Sequence, residues 1–119
     1  PDEGITLGDK KETTRLLLAC GPVRLYHTGD TLDDARLRAA ATFRPRTLLA
    51  PINGRGGNLD ADEAARLATD LGVAVAIPMH YGTIAVNDAD PAPFVAALGR
   101  VAPGATATLL TPGVRHDLT

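Results

Sequence analysis

The chain has 119 residues, 45% of them hydrophobic and 22% charged, with 12 basic against 14 acidic side chains and a formal net charge of −2. That length fits one domain able to bury a core and excludes a second, and the balanced composition is that of a soluble globular protein rather than a disordered or fibrous one. There is no basic run to meet a nucleic acid or an anionic membrane, no stretch near the roughly 20 apolar residues of a membrane span, and no signal-peptide pattern.

Residues 1–14 read as a polar lead-in with at most a short strand around Ile5 to Leu7, and residues 15–119 as a single α/β half-domain. Pro1 at the start and Met79 as the only methionine lead us to expect a processed or cut polypeptide. Arg15 to Cys20 is a short apolar run, the turn dipeptide Gly21-Pro22 follows, and Val23 to Tyr26 alternates apolar and polar, which predicts a β-hairpin. Cys20 is the lone cysteine, so an internal disulfide and a cysteine-based zinc site are excluded. It is expected to be a small buried hydrophobe, and a reducing cytoplasm is the default compartment.

Tyr26-His27-Thr28-Gly29-Asp30-Thr31 is a strand end that breaks at a glycine and delivers a carboxylate just before a helix. Thr31 with Asp34 resembles a capping box and predicts a helix from about Leu32 to Ala41, stopped by Pro45. Thr47 to Ile52 is apolar on both faces, as in a central parallel strand. The glycine-rich loop Asn53 to Asn58 comes next, and Asp60 to Glu63 opens a helix ending at Leu71-Gly72. Its apolar stripe is Ala61, Ala64, Ala65, Ala68 and Leu71, and Asp62 and Arg66 are spaced to pair at i, i+4.

Val73 to Ile77 reads as another strand buried on both faces and ended by Pro78, releasing His80. A loop runs from Tyr81 to Asp90, a helix starts near Pro91 and reaches about Val101, Thr106 to Thr111 reads as a strand, and Val114 to His116 as a short terminal one. A hairpin followed by αβαβαβ argues an α/β fold with parallel strands and right-handed crossovers. Asp30, the 53–58 loop and His80 all fall where strands end, the place at which open α/β sheets bind ligands.

Asp30 and His80 are of the types a catalytic divalent metal requires, a deprotonated oxygen and a neutral imidazole on rigid elements. A carboxylate can bridge two ions about 3.5–4 Å apart and so hold a hydroxide for hydrolysis. Read from the residues alone, Asp30 is equally an acid complementing a helix dipole, and His80 a loop histidine without a task. His27 faces away from Tyr26 and suits packing or support of a metal ligand, and His116 is expected to be solvated. Arg55, among the backbone amides of Gly54, Gly56 and Gly57, suits a phosphate or carboxylate, unless the loop merely needs glycine dihedrals. Asn58 either precedes and caps the Asp60 helix or joins the substrate contacts, and Tyr81 is placed to hydrogen-bond a developing oxyanion.

The segments Tyr26 to Thr31, Pro51 to Asn58, Glu63-Ala64-Ala65, Ile77-Pro78-Met79-His80-Tyr81-Gly82 and Asn87 to Pro91 closely resemble the C-terminal half of metallo-β-lactamase-fold hydrolases, in the L-ascorbate-6-phosphate lactonase-like branch. The resemblance runs in order over roughly residues 15 to 100. It implies one half of an αββα sandwich, with Asp30 as the metal-bridging carboxylate and His80 as a terminal metal ligand. Family members also carry a His-x-His-x-Asp-His run and a further upstream histidine, whereas this chain has only His27, His80 and His116. Two ligands fall short of the three a catalytic site needs.

The expectation is therefore a metal-dependent hydrolase whose intact form uses a zinc or manganese site, dinuclear, to activate water against a lactone or related ester. This chain would carry only the C-terminal part of the site and be inactive alone, as a cut product or one part of a split protein. Asp30 and His80 are the catalytic and metal residues, Arg55, Asn58 and Tyr81 the substrate contacts, and the substrate a small anionic molecule such as a sugar-phosphate lactone. The missing half, or self-association, would cover the exposed sheet. The rival is a non-catalytic half-fold serving as a binding or assembly module. A Rossmann-like domain is disfavoured, because the 53–58 loop lacks both nucleotide-binding fingerprints.

Overall fold

A computed structural model describes residues 15–80 and 90–118. The hairpin forms as expected, β1 (Leu16–Cys20) and β2 (Val23–His27) pairing antiparallel across Gly21. After β2 the strands β3 (Thr47–Pro51), β4 (Val75–Met79) and β5 (Thr106–Ala107) add in parallel, giving one five-stranded sheet in the order β1-β2-β3-β4-β5. Helix α1 (Ala61–Leu71) lies between β3 and β4, and α2 (Ala92–Val101) between β4 and β5.

The connection between β2 and β3 departs from expectation. It is a 3-10 helix over Ala35–Phe43, three residues later than predicted, and its N-cap is Asp34 rather than Thr31. Thr31 spends its hydroxyl on the Leu32 carbonyl at 2.8 Å. Both ends close with i→i+3 bonds, Leu37 N–H to the Asp34 carbonyl and Arg44 N–H to the Ala41 carbonyl, each 3.0 Å. A three-residue turn stacks side chains three apart. Leu37 and Ala40 are accordingly the buried pair, and Phe43, three further on, receives the Arg24 guanidinium 5.3 Å over its ring.

Helix α1 forms where the sequence placed it because its start is a complete capping box. Asp60 Oδ1 accepts from Glu63 N–H at 2.8 Å, and Glu63 Oε1 accepts from Asp60 N–H at 3.0 Å. Gly72 closes it in the left-handed conformation at φ 69. The expected stripe is buried at Ala64, Ala65, Ala68 and Leu71, and Leu67 joins it. Asp62 does not pair with Arg66; its carboxylate lies 3.5 Å from Arg100 on α2 instead, where the helices pack together.

The sheet has two unlike faces. Register places Leu17, Tyr26, Leu48, Ala76 and Ala107 in one cross-strand row, and all five sit in or against the core built by α1, α2 and the 3-10 helix. The neighbouring rows, Leu18-Leu25-Thr47-Val75 and Leu16-His27-Leu49-Ile77, point the other way. There Ile77 and Thr47 are buried and Leu25, Leu49 and Val75 half-buried, while Leu16 is 39% and Leu18 52% exposed.

Four further expectations are corrected. Cys20 is exposed, because β1 is an edge strand with its end clear of the core. The last strand stops at Ala107 rather than Thr111, its final bond to β4 running from Thr108 N–H to the Ala76 carbonyl at 2.9 Å, and 114–116 forms no strand. Asn58 does not cap α1, a task performed by Asp60. His116 is exposed, as expected. The proposed strand around Ile5 to Leu7 lies outside the described residues.

Candidate metal centre

β2 and β4 end at the same edge of the sheet, each in a left-handed residue. Thr28 N–H extends the β2–β3 pairing to the Leu49 carbonyl at 3.1 Å, and Gly29 then turns at φ 66. Glycine adopts this conformation without the Cβ penalty, and the turn delivers Asp30 beyond the strand. On β4, Ile52 N–H bonds the Met79 carbonyl at 3.2 Å, and His80 follows at φ 65. A histidine there is unusual, and such strain persists where the surroundings impose it, commonly at functional sites.

These turns bring Asp30 Oδ1 to 2.7 Å from His80 Nε2. The carboxylate is 60% exposed and the imidazole 30%. The pair thus faces open space on one side while the ring is half-sheltered on the other. Carboxylate and imidazole are suitable donors for a hard or borderline divalent cation. Among the described residues, however, no group of three or more histidine, cysteine or acidic side chains could hold an ion. The pair fits one side of a metal centre and does not complete one.

A cleft of about 570 Å³ opens beside Asp30, bounded by Arg15, Thr31, Asp34, Arg36, Gly56 and Gly57 among others. It joins the strand-end loop to the glycine-rich loop, which the sequence separates. Its charges are largely matched. Asp34 accepts from Arg36 through both carboxylate oxygens at 2.7–3.2 Å, and these bonds, the Arg36 backbone N–H and the nearby Arg15 charge hold its carboxyl at about 2, below the usual 3.8. Asp33 pairs with Arg38, which also reaches Asp70 at 3.0 Å and so ties the loop to α1. Burial works against the Arg38 charge, but the two carboxylates outweigh it and raise its pKa.

The remaining sequence candidates are placed as follows. Arg55 is exposed on the glycine-rich loop, though Gly56 and Gly57, not Arg55, line the cleft. Asn58 is 6% exposed, inside that loop. Its Oδ1, like both polar atoms of the Asn53 side chain, meets no hydrogen-bond partner among the described residues. The loop closes through an Asn53–Asp60 bridge and a 2.9 Å bond from Gly54 N–H to the Leu59 carbonyl. Tyr81 lies outside the described residues. Arg15 opens an apolar run and Arg36 stands in a charged stretch, so no spacing signal in the sequence marks either as a cleft residue.

No protein-family model matches the chain. It is similar to curated proteins, among them the UPF0173 metal-dependent hydrolase of Alkaliphilus metalliredigens, 36% identical over 95 residues that make up 78% of this chain and 40% of the relative. That of Aeropyrum pernix is 34% identical over 103 residues, 85% of this chain and 42% of the relative. The chain spans about two fifths of the length of these relatives. Among solved structures, Igni18, a metallo hydrolase from Ignicoccus hospitalis, aligns with a TM-score of 0.75 at 28% identity, over 90% of this chain and 46% of that one. The metallo-β-lactamase-fold protein YhfI from Bacillus subtilis aligns at 0.70 and 13% identity, over 95% and 46%, a likeness of fold alone. The mixed α/β sheet described above therefore matches structures of the metallo-β-lactamase fold.

Proposed function

We propose that the chain forms part of a metal-dependent hydrolase of the metallo-β-lactamase superfamily, carrying the Asp30 and His80 share of its metal centre. The observation behind this reading is the 2.7 Å approach of Asp30 Oδ1 to His80 Nε2 at two left-handed strand ends. The printed names of the relatives support it: they are called metal-dependent hydrolases.

In this reading Asp30 presents a carboxylate able to bridge two ions, and His80 presents Nε2 to one of them, with further ligands coming from outside the described residues. Zinc or manganese, in a dinuclear arrangement, is the proposed metal. The chemistry a bound divalent ion supplies is a water acidic enough to act as a nucleophile near neutral pH. The proposed substrate is a small anionic lactone or related ester, such as a sugar-phosphate lactone. Arg55 would grip its anionic group, Asn58 would add a substrate contact from the same loop, and Tyr81 would hydrogen-bond the developing oxyanion. A reducing cytoplasm is the proposed compartment; among the described residues no helix is long and apolar enough to cross a membrane.

Elemental analysis and a lactone panel test the reading. The expected outcome is that the 119-residue chain alone holds no stoichiometric metal and hydrolyses nothing, while a protein that also contains the remaining relative-length sequence does both. Stoichiometric, tightly held metal in the chain alone would overturn the shared-site reading.

A second reading is favoured by the exposed Leu16 and Leu18 on the sheet face opposite the helices: a non-catalytic half-fold that binds or assembles through that face. A sandwich buries such a face against a second sheet. Under either reading the missing half or a second copy covers it, so light scattering of the chain alone is expected to show self-association, reversed by Leu18→Lys. A wild-type monomer at high concentration would rule the exposed face out as an interface.

A further inference from the structure

The Gly29 residue is held from both directions by its two predecessors. Its N–H donates to His27 Nδ1 at 3.0 Å, and its carbonyl accepts from Thr28 Oγ1 at 2.9 Å. Thr28 is fully buried and bonded to β3, so the clamp is anchored in the sheet. The next residue along is Asp30.

We infer that His27 is a positioning residue for Asp30. The left-handed turn at Gly29 aims the carboxylate at His80, and glycine by itself has little preference for that turn over its alternatives. A hydrogen bond to the Gly29 N–H selects it. Accepting that bond requires a lone pair on Nδ1, which an imidazole carrying its proton on Nε2 supplies. Strand alternation places His27 beside Leu16 and Leu49 on the sheet face away from the helix-side core. An aliphatic side chain would satisfy packing there equally well; the acceptor is what it would lack. This inference rests on the reading of Asp30 as a metal ligand.

The test compares His27→Leu with His27→Asn in the metal-binding protein. Asparagine carries Oδ1 where histidine carries Nδ1, one bond beyond Cγ, and keeps the acceptor. Two quantities are read: the hydrogen-exchange rate of the Gly29 amide and metal affinity by chelator competition. His27→Leu is expected to speed Gly29 exchange about tenfold, as loss of one hydrogen bond implies, and to weaken metal binding about 10–100-fold, the range for partners of metal ligands. His27→Asn should restore both. An unchanged His27→Leu variant, or an asparagine no better than leucine, would overturn the inference. Should the leucine variant not fold, a scalar coupling between His27 Nδ1 and the Gly29 nitrogen in the wild-type protein decides, and its absence would count against the clamp. If the longer protein that also contains the remaining relative-length sequence binds no metal, the proposed function falls, and Gly29 exchange still judges His27.

Discussion

Asp30 and His80 lie on loops fifty residues apart in sequence, yet Asp30 Oδ1 and His80 Nε2 stand 2.7 Å from each other. Two parallel strands separated by β3 end at the same edge, and each continues into a left-handed residue that turns its successor or itself toward the other. This contact gathers the ligand-type side chains into one place.

Removing either member should abolish metal retention. In the metal-binding protein, Asp30→Asn and His80→Ala are each expected to weaken affinity by more than the about 10–100-fold seen when only a supporting residue is lost. Chelator competition followed by elemental analysis measures this, and wild-type affinity in both variants would remove the pair from the metal centre.

Gly54 is required by geometry. It adopts φ 67, and a Cβ there would stand 3.0 Å from the Asp60 Cβ at the cap of α1. Gly54→Ala should therefore cost about 1–2 kcal/mol for the left-handed backbone, plus whatever the cap must yield. Urea denaturation reads the loss, and a variant as stable as wild type would contradict the assigned loop conformation.

Stability at low pH should carry a contribution from Asp34. Its carboxyl is held at about 2, below its ordinary 3.8, so the charged form is favoured by folding. The contribution is present above pH 3.8 and fades as pH falls toward 2. It is small, because the pair is open to solvent. Asp34→Asn should therefore be slightly less stable than wild type at neutral pH and converge with it near pH 2. NMR titration of the Asp34 carboxyl in Arg36→Met should show its pKa moving up toward 3.8.

The helix-side core should respond to loss of volume at Leu67, which is fully buried on α1 yet fell outside the stripe read from the sequence. Leu67→Ala is expected to cost about 2–5 kcal/mol. A denaturant midpoint within error of wild type would show that this side chain does not hold α1 to the sheet.

Several elements were legible because their signals are local. The Asp60–Glu63 capping box, the Gly72 stop and the Gly21-Pro22 turn each act within a few residues, and each appears where the sequence placed it. The 3-10 helix starts later than its local signals imply, because Thr31 and Asp34 offer rival caps and their order is decided by where the preceding loop runs. That loop is held by Asp33, Arg38 and Asp70, a contact spanning 3-10 helix and α1 that no window of sequence contains.

By itself the sequence determined the alternation of strands and helices, the glycines at strand ends and the ligand chemistry of Asp30 and His80, since these depend on backbone preference and side-chain type. Tertiary structure alone decided that the Asp30 and His80 side chains meet, that the glycine-rich loop and Arg36 share a cleft with Asp30, and that Cys20 is exposed at an edge. It also decided which sheet face the helices cover. The reason is physical: contact, burial and charge pairing depend on distances between elements, and those follow from how strands are ordered and crossed over, which local preference does not specify.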